Sequence, residues 1–181
     1  MQTGTSGQTG VGAMLVSQEP FTLKLRSFSV ETVDGGVRVE SGLMLEKTAF
    51  LRALLRDGAV LNLAGTLTLE RLRTLLSNTV LSEITLLYQL RHDPLTREFV
   101  LSVAGSPSIR QKNLDDLLAF AWKDMHFLLP LQESLVSGET YRVRLDLTLQ
   151  HAEVPPWLEK ALFFWSWDVA PAASFSHEFV Y

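Results

Sequence analysis

The stretch from Thr140 to Gln150 reads TYRVRLDLTLQ and alternates polar with apolar residues without a break. Successive side chains of a β-strand point to opposite faces, so this alternation predicts a strand with one buried and one solvated face. Strands of that kind are typical of antiparallel sheets. The apolar positions, which we expect in the core, are Tyr141, Val143, Leu145, Leu147 and Leu149.

The same two-residue period predicts six further strands. Two of them flank Asp34-Gly35-Gly36, which supplies the positive φ angles of a tight hairpin turn, and Gly42 is a candidate bulge. Two more flank Asp93-Pro94, where proline fixes φ in a turn. In chain order the six segments begin at Phe21 and Val37 or span 59–69, 83–92, 97–103 and 175–181.

Three short helices are expected between these strands. Thr48 is a candidate N-cap for the first, and Gly58 is placed to end it. The second, capped by Asn113, carries one apolar face that runs as far as Met125. The third begins at Pro155 and Pro156 and runs to Trp167, whereas residues 70–82 predict a loop with some helix.

Hairpin-joined strands with interposed helices predict a mainly β fold. The class is an antiparallel β-sandwich, immunoglobulin-like or related, of about seven strands with three short helices in the connections. Residues 1–19 have the composition of a flexible tail, and residues 20–181 are expected to form a single sandwich domain.

Composition excludes several classes of protein. The chain has 181 residues, 46% of them hydrophobic, so it is not a disordered protein. A net charge of −4 argues against a nucleic-acid partner, and the apolar runs are too short for an integral membrane segment. There is no cysteine, hence no disulfide, and no signal peptide is recognisable. We therefore expect a cytoplasmic protein or one that starts after a removed signal.

No catalytic or metal-binding motif is readable. The four histidines, His92, His126, His151 and His177, do not stand at a metal-ligand spacing, and no GxSxG nucleophile elbow occurs. Asp115 and Asp116 are neighbours on a helix and point apart. We predict no catalytic residue, no metal and no cofactor. An enzyme whose site assembles from distant residues remains an alternative.

Two groups of residues are candidates for partner binding. Arg142 and Arg144 share the solvated face of their strand, and Lys24 and Arg26 do so on the first strand, which would give a basic patch if the two strands were neighbours. The alternative is an ordinary solvated face. The aromatic residues Trp157, Trp165 and Trp167 stand in the third predicted helix, where the alternative is core packing.

Several stretches of the second half resemble a known family. They are Tyr88–Phe99, Gly138–Asp146, Val154–Leu158, Phe163–Asp168 and Phe179–Tyr181. In order and spacing they are similar to the bacterial family called domain of unknown function 4390 (DUF4390). The chain departs from its pattern at residues 170–174, where a tryptophan-bearing segment is common in the family.

The resemblance implies an exported, periplasmic, mostly β protein, and some family members are encoded near sensor histidine kinases. It transfers no catalytic residue. The leading hypothesis is a non-enzymatic periplasmic module that binds a protein partner or ligand in the cell envelope, with a link to envelope signalling. The alternatives are a hydrolase with a dispersed site, a membrane-surface or lipid-handling module, and a cytoplasmic location. The oligomeric state stays open.

Overall fold

The computed structural model of the chain describes residues 22–153 and 173–181, and the fold is mainly β. Nine strands and two helices lie in these ranges. In chain order the elements are β1 (Thr22–Val33), β2 (Gly36–Glu46), α1 (Ala49–Arg56), β3 (Val60–Arg71), β4 (Thr79–Asp93), β5 (Glu98–Val103), β6 (Ile109–Gln111), α2 (Leu114–Trp122), β7 (Met125–Pro130), β8 (Thr140–Glu153) and β9 (Ala173–Val180).

The strands form two antiparallel sheets. One has the order β1-β2-β7 and the other the order β6-β5-β4-β3-β8-β9, and one sheet curls into a half-barrel. The predicted mainly β, antiparallel architecture is confirmed. The finer prediction of an immunoglobulin-like sandwich stays a prediction.

Strand β8, which contains the stretch Thr140–Gln150, has the burial pattern that its sequence predicts. In β8 every odd-numbered residue from Tyr141 to Leu149 is buried, and the even-numbered residues between them are half-buried on the other face. Leu145 faces Leu67 of β3 on one side and Phe175 of β9 on the other. Burial of one face therefore fixes the register of this strand within the sheet.

Both sheets and both helices contribute to one hydrophobic core. Val37 and Val39 enter it from the three-stranded sheet, and the odd-numbered residues of β3 and β8 enter it from the six-stranded sheet. Leu51 of α1 and Trp122 of α2 are buried in the same cluster. The two helices therefore complete the same core that the two sheets form.

The strand count differs from the predicted seven because β6 and β7 were missed. β6 was not among the predicted strands, and it pairs with β5. The helix predicted to run to Met125 ends at Trp122, and Met125 begins β7. Met125 pairs with Ser41 of β2, and this pairing outweighs the helical apolar period.

The prediction of some helix within residues 70–82 is wrong. Glu70 and Arg71 end β3, residues 72–78 are not helical, and β4 starts at Thr79. Of the three leucines whose spacing suggested a helix, Leu72 is half-buried and Leu75 and Leu76 are exposed, so a helix here would leave most of its apolar face in water.

Two helices were predicted correctly, and the third, at 155–167, lies outside the described residues together with the tail at 1–19. Gly58, with φ of +98°, follows α1 in the predicted left-handed conformation. The side chain of Asn113 caps α2 by accepting the backbone N–H of Asp115 at 2.9 Å.

The irregularity predicted at Gly42 is present on the neighbouring strand. The β1–β2 register shifts between Leu25 and Ser27, so Arg26 is the extra residue and Gly42 faces Ser27. A Cβ added at Gly42 would lie 2.5 Å from the carbonyl oxygen of Lys123. Glycine at this position thus allows the end of α2 to lie directly against β2.

Candidate functional site

A groove runs between β2 and α2 at the place where the two elements meet. We call it the β2–α2 groove, and its volume is about 240 Å³. Strand residues form one wall and the second half of α2 forms the other. The lining residues are Arg26, Leu43, Met44, Leu45, Asp115, Leu118, Ala119 and Lys123.

The groove exists because β2 is longer than its neighbour β7. β2 pairs with β7 only from Gly36 to Ser41, whereas it pairs with β1 along its whole length. Residues 42–46 therefore have no strand partner on the side away from β1, as far as the described residues go. Helix α2 lies along that side in place of a strand.

The floor of the groove is apolar. Leu43 and Leu118 are only 3% and 5% exposed, because they belong to the core cluster beneath the groove. Met44 is 44% exposed and offers a flexible apolar side chain to any occupant. The floor is thus held by the core, while the Met44 side chain is free to adapt.

Two cations flank this floor. Arg26 projects at the bulge of β1 and forms no ion pair with any described residue, and Lys123 lies 3.8 Å from the carboxylate of its exposed neighbour Asp124. The Asp115 carboxylate lies 2.6 Å from Nη2 of Arg52, so its charge is compensated. Among the described residues, Arg26 is therefore the lining cation that no carboxylate pairs with, and it lies beside an apolar surface.

Asp115 also fixes the position of the helical wall. The hydroxyl of Thr48, the residue predicted to cap α1, donates to Asp115 Oδ1 at 2.5 Å instead of making a capping bond. Together with Arg52 this contact ties the start of α1 to the start of α2. The two helices are thereby braced against each other next to the groove.

A second cleft, of about 380 Å³, lies at the end of the β1–β2 hairpin. It is lined by the turn residues 32–36, the segment 131–135 and Tyr181. Its charged residues, Asp34 and Glu133, are both acidic, and no histidine lines this cleft or the β2–α2 groove. Binding sites are mostly apolar with a few placed polar groups, so the groove is the stronger candidate.

The predicted basic patch does not form, because β1 and β8 belong to different sheets. Arg142 contacts Glu178 Oε1 through Nε at 2.9 Å and Nη2 at 2.6 Å. Arg144 Nε donates to Asp146 Oδ2 at 2.8 Å. Both arginines are thus engaged within the protein, and their role in partner binding stays a prediction.

Lys24 pairs with Glu46 at 2.7 Å, which leaves Arg26 as the strand's cation at the groove. The other predicted contact residues, Trp157, Trp165 and Trp167, lie outside the described residues.

The histidines occupy separate places. His126 Nδ1 lies 3.3 Å from Glu40 Oε1, but both side chains are exposed on the outer face of the three-stranded sheet. The Nδ1 of His151 is buried without a hydrogen-bond partner in the described part of the chain, and burial lowers its pKa. His177 lies at the rim between β9 and β1, with its ring 6.4 Å from that of Phe28.

His92 and Asp93 lie at the β4–β5 turn, as predicted. The ring of His92 stands 5.0 Å from that of Phe99. Asp93 Oδ1 accepts the backbone N–H of Leu95 at 3.0 Å and that of Thr96 at 3.4 Å. These contacts, led by the Leu95 hydrogen bond, lower the pKa of the Asp93 carboxyl below its ordinary value of 3.8.

This lowered pKa makes the turn sensitive to acid. A carboxyl whose pKa falls on folding stabilises the fold above its unfolded pKa, and that stability is lost as pH falls through the folded pKa. We expect the amides of Leu95 and Thr96 to lose hydrogen-exchange protection as pH falls below 3.8. Asp93→Ala should abolish this dependence at both amides, as followed by NMR. An unchanged profile in that variant would contradict the assignment.

The described residues contain neither a metal-binding cluster nor a membrane-spanning helix. No group of three or more His, Asp or Glu residues there is arranged to hold a metal ion. No helix in the same ranges is both long and apolar enough to cross a membrane.

Sequence reasoning noted Arg26 but missed the groove beside it. Leu43 and Leu118 are core residues, and the pattern of each element alone does not show that α2 lies beside residues 42–46. The sequence of β1 contains one signal of this geometry. The apolar residues of β1 change from odd to even positions between Leu25 and Phe28, and such a phase change indicates a bulge.

The remaining observation is the comparison with known proteins. Neither the search of curated proteins nor the search of solved structures gives a match. A family model described as a domain of unknown function, DUF4390, matches residues 22–176. This range contains both sheets up to the middle of β9, and both walls of the groove. The chain therefore belongs to the DUF4390 family.

Proposed function

We propose that the protein is a non-enzymatic binding module and that the β2–α2 groove is its binding site. The observation that carries this proposal is the combination of an apolar floor at Leu43 and Leu118 with two flanking cations, Arg26 and Lys123. Apolar contact supplies affinity, and a few placed charges supply orientation and specificity.

The groove is supported by rigid elements, as a specific site requires. Its strand wall belongs to the core, and its helical wall is braced by the contacts of Asp115 with Thr48 and Arg52. A ligand that enters the groove would meet a surface that is already formed, so little entropy is lost in ordering the protein.

The proposal also includes the sandwich fold and the cellular location of the protein. The two sheets that share one core are interpreted as the layers of a β-sandwich, an arrangement that commonly presents binding surfaces at its edges and ends. The resemblance to DUF4390 described above supports a periplasmic location and a partner in the cell envelope. Arg142 and Arg144, and the tryptophans at 157, 165 and 167, stay predicted further contacts of that partner.

Site-specific photocrosslinking tests the proposal. A photoreactive residue at Ala119, which lines the groove, should give a discrete adduct when the protein is irradiated in its cell envelope. The same residue at Leu95, which is 93% exposed on the β4–β5 turn, serves as the control and should give none. No adduct at Ala119, or the same products from both positions, would contradict the proposal.

Charge reversal shows whether such an adduct depends on the groove. Arg26→Glu combined with Lys123→Glu should remove the Ala119 adduct, because both cations flank the site. Lys112→Glu changes an exposed lysine outside the groove lining and should leave the adduct intact. Equal loss in both variants would point to a nonspecific effect of net charge.

A further inference from the structure

One end of the six-stranded sheet carries a concentration of exposed apolar side chains. Half of the large apolar residues that are exposed in the described ranges lie at the end where β3 and β9 stop and β4 and β8 start. They are Leu75, Leu76, Val80, Val136, Val180 and Tyr181. Single exposed apolar residues are normal on a protein surface, whereas a concentration of them marks a contact surface.

Hydrogen bonds and strand pairing bring these segments together. Arg71, the last residue of β3, pairs with Tyr141 near the start of β8. The hydroxyl of Tyr141 accepts the backbone N–H of Val136 at 2.8 Å, and Thr140 pairs with Val180 of β9. The connection from β3 to β4 therefore leaves the sheet beside the segment that leads into β8.

That connection, residues 72–78, is called here the β3–β4 loop, and its tip is apolar. The neighbouring residues Leu75 and Leu76 are 93% and 69% exposed, so the Leu75 side chain makes almost no contact with the rest of the protein. Asn78 Oδ1 accepts the backbone N–H of Arg73 at 3.4 Å, which joins the two ends of the loop. The loop is thus closed at its base and presents both leucines to the surroundings.

The charged residues at the start of this loop are cations. Arg71 and Arg73 form no ion pair with any described residue, and residues 71–78 include no acidic residue. Glu70, the acidic residue just before them, is 8% exposed and lies 3.8 Å from Nη2 of Arg144, so its charge is already compensated. The loop therefore combines an apolar tip with positive charge at its base.

We propose that the β3–β4 loop docks the protein on an anionic lipid surface, with Leu75 and Leu76 inserted below the headgroups and Arg73 at the level of the phosphates. Peripheral proteins bind membranes by this combination of shallow apolar insertion and attraction between cations and anionic headgroups. The loop shares no residue with the lining of the β2–α2 groove, so this inference stands independently of the function proposed for the groove.

A pocket on another protein is the competing occupant. Leu75 and Leu76 are neighbours in a loop that is not helical, and a fluid acyl layer buries both at once whatever their directions, whereas a protein pocket would have to fit both. The exposed carboxylates near this end of the sheet, Asp34, Glu133 and Glu139, belong to other segments. Because anionic headgroups repel them, insertion is confined to the tip of the β3–β4 loop.

Vesicle flotation of the full chain tests the proposal. The protein should float with vesicles of phosphatidylglycerol and phosphatidylethanolamine, and Leu75→Ser combined with Leu76→Ser should weaken this binding about tenfold or more, since the inserted apolar area is lost. Leu95→Ser removes an equally exposed leucine from the β4–β5 turn, at the opposite end of β4, and should leave binding within about twofold. No flotation with these vesicles, or equal losses in the two leucine variants, would overturn the proposal.

Charge reversal tests the part played by the headgroups. Arg73→Glu should weaken binding to the phosphatidylglycerol vesicles about tenfold and should not change the weaker binding to vesicles of phosphatidylcholine alone. Lys112→Glu makes the same change in net charge at an exposed position outside the loop, and its effect should be within about twofold. Equal weakening by both reversals would contradict docking through the loop.

A fluorescent label reports whether the tip enters the lipid. The chain contains no cysteine, so Leu76→Cys supplies a single site for an environment-sensitive fluorophore. Its emission should shift to shorter wavelength when phosphatidylglycerol vesicles are added, and the same label at Leu95→Cys should show no shift. Flotation without a shift at position 76 would assign lipid binding to another surface and overturn the proposal. A protein crosslinked at position 76 without flotation would assign the loop to a protein partner instead.

Discussion

Truncation of Leu145 to alanine is expected to lower the free energy of unfolding by about 2–5 kcal/mol. Leu145 is fully buried at the centre of β8, between Leu67 of β3 and Phe175 of β9, so its removal leaves a cavity where two strand contacts meet. The loss combines the transfer free energy of the deleted atoms with the cost of that cavity. Urea denaturation followed by circular dichroism measures the effect.

The same strand supplies the control. Thr148 lies on the opposite, half-buried face of β8, and Thr148→Ala should cost about 1 kcal/mol or less, since it creates no core cavity. Equal losses for the two variants would contradict the assignment of the odd-numbered residues to the core. So would a loss for Leu145→Ala within the range expected for Thr148.

Trp122→Ala is expected to cost about 3–5 kcal/mol. Trp122 is the last residue of α2, is 1% exposed and is among the largest buried side chains in the described ranges. It sits one residue before Lys123, whose carbonyl group lies against Gly42. Its loss should therefore also loosen the helical wall of the β2–α2 groove and weaken the binding proposed there.

Trp122→Phe separates the effect of side-chain volume from the effect of the buried indole N–H. The indole Nε1–H is buried and has no hydrogen-bond acceptor among the described residues. A buried unsatisfied donor costs about 1–3 kcal/mol, so removing it offsets part of the lost packing. The phenylalanine variant should therefore be clearly more stable than the alanine variant, as measured by thermal and urea unfolding. Equal destabilisation by both changes would contradict the assignment of the Trp122 ring to the packed core.

The strands could be predicted where local pattern and burial agree. In β8 the alternation runs through the whole buried stretch, and the turn at Asp93 uses a side chain suited to that purpose, so both were predicted from sequence. Met125 illustrates the limit. Its position extends the apolar face of α2 by one helical step, yet it pairs with Ser41, which is far away in sequence. Local periodicity carries no information about that partner.

The candidate site could not be predicted from the sequence, for a related reason. The groove depends on the start of β7 opposite Ser41, on the close approach of Lys123 to Gly42 and on the bulge at Arg26. Each is a relation between segments distant in sequence. The sequence shows an arginine on a strand and a lysine after a helix, but it does not show that the two lie beside the same groove.

Amide hydrogen exchange of the full chain, with and without the envelope component that crosslinks at Ala119, tests the central claim most directly. The binding account predicts slower exchange at residues 43–45 of β2 and at residues 118–123 around the end of α2 when the ligand is present. Protection confined to β9, or to the strand face that carries Arg142 and Arg144, with residues 43–45 unchanged, would contradict it.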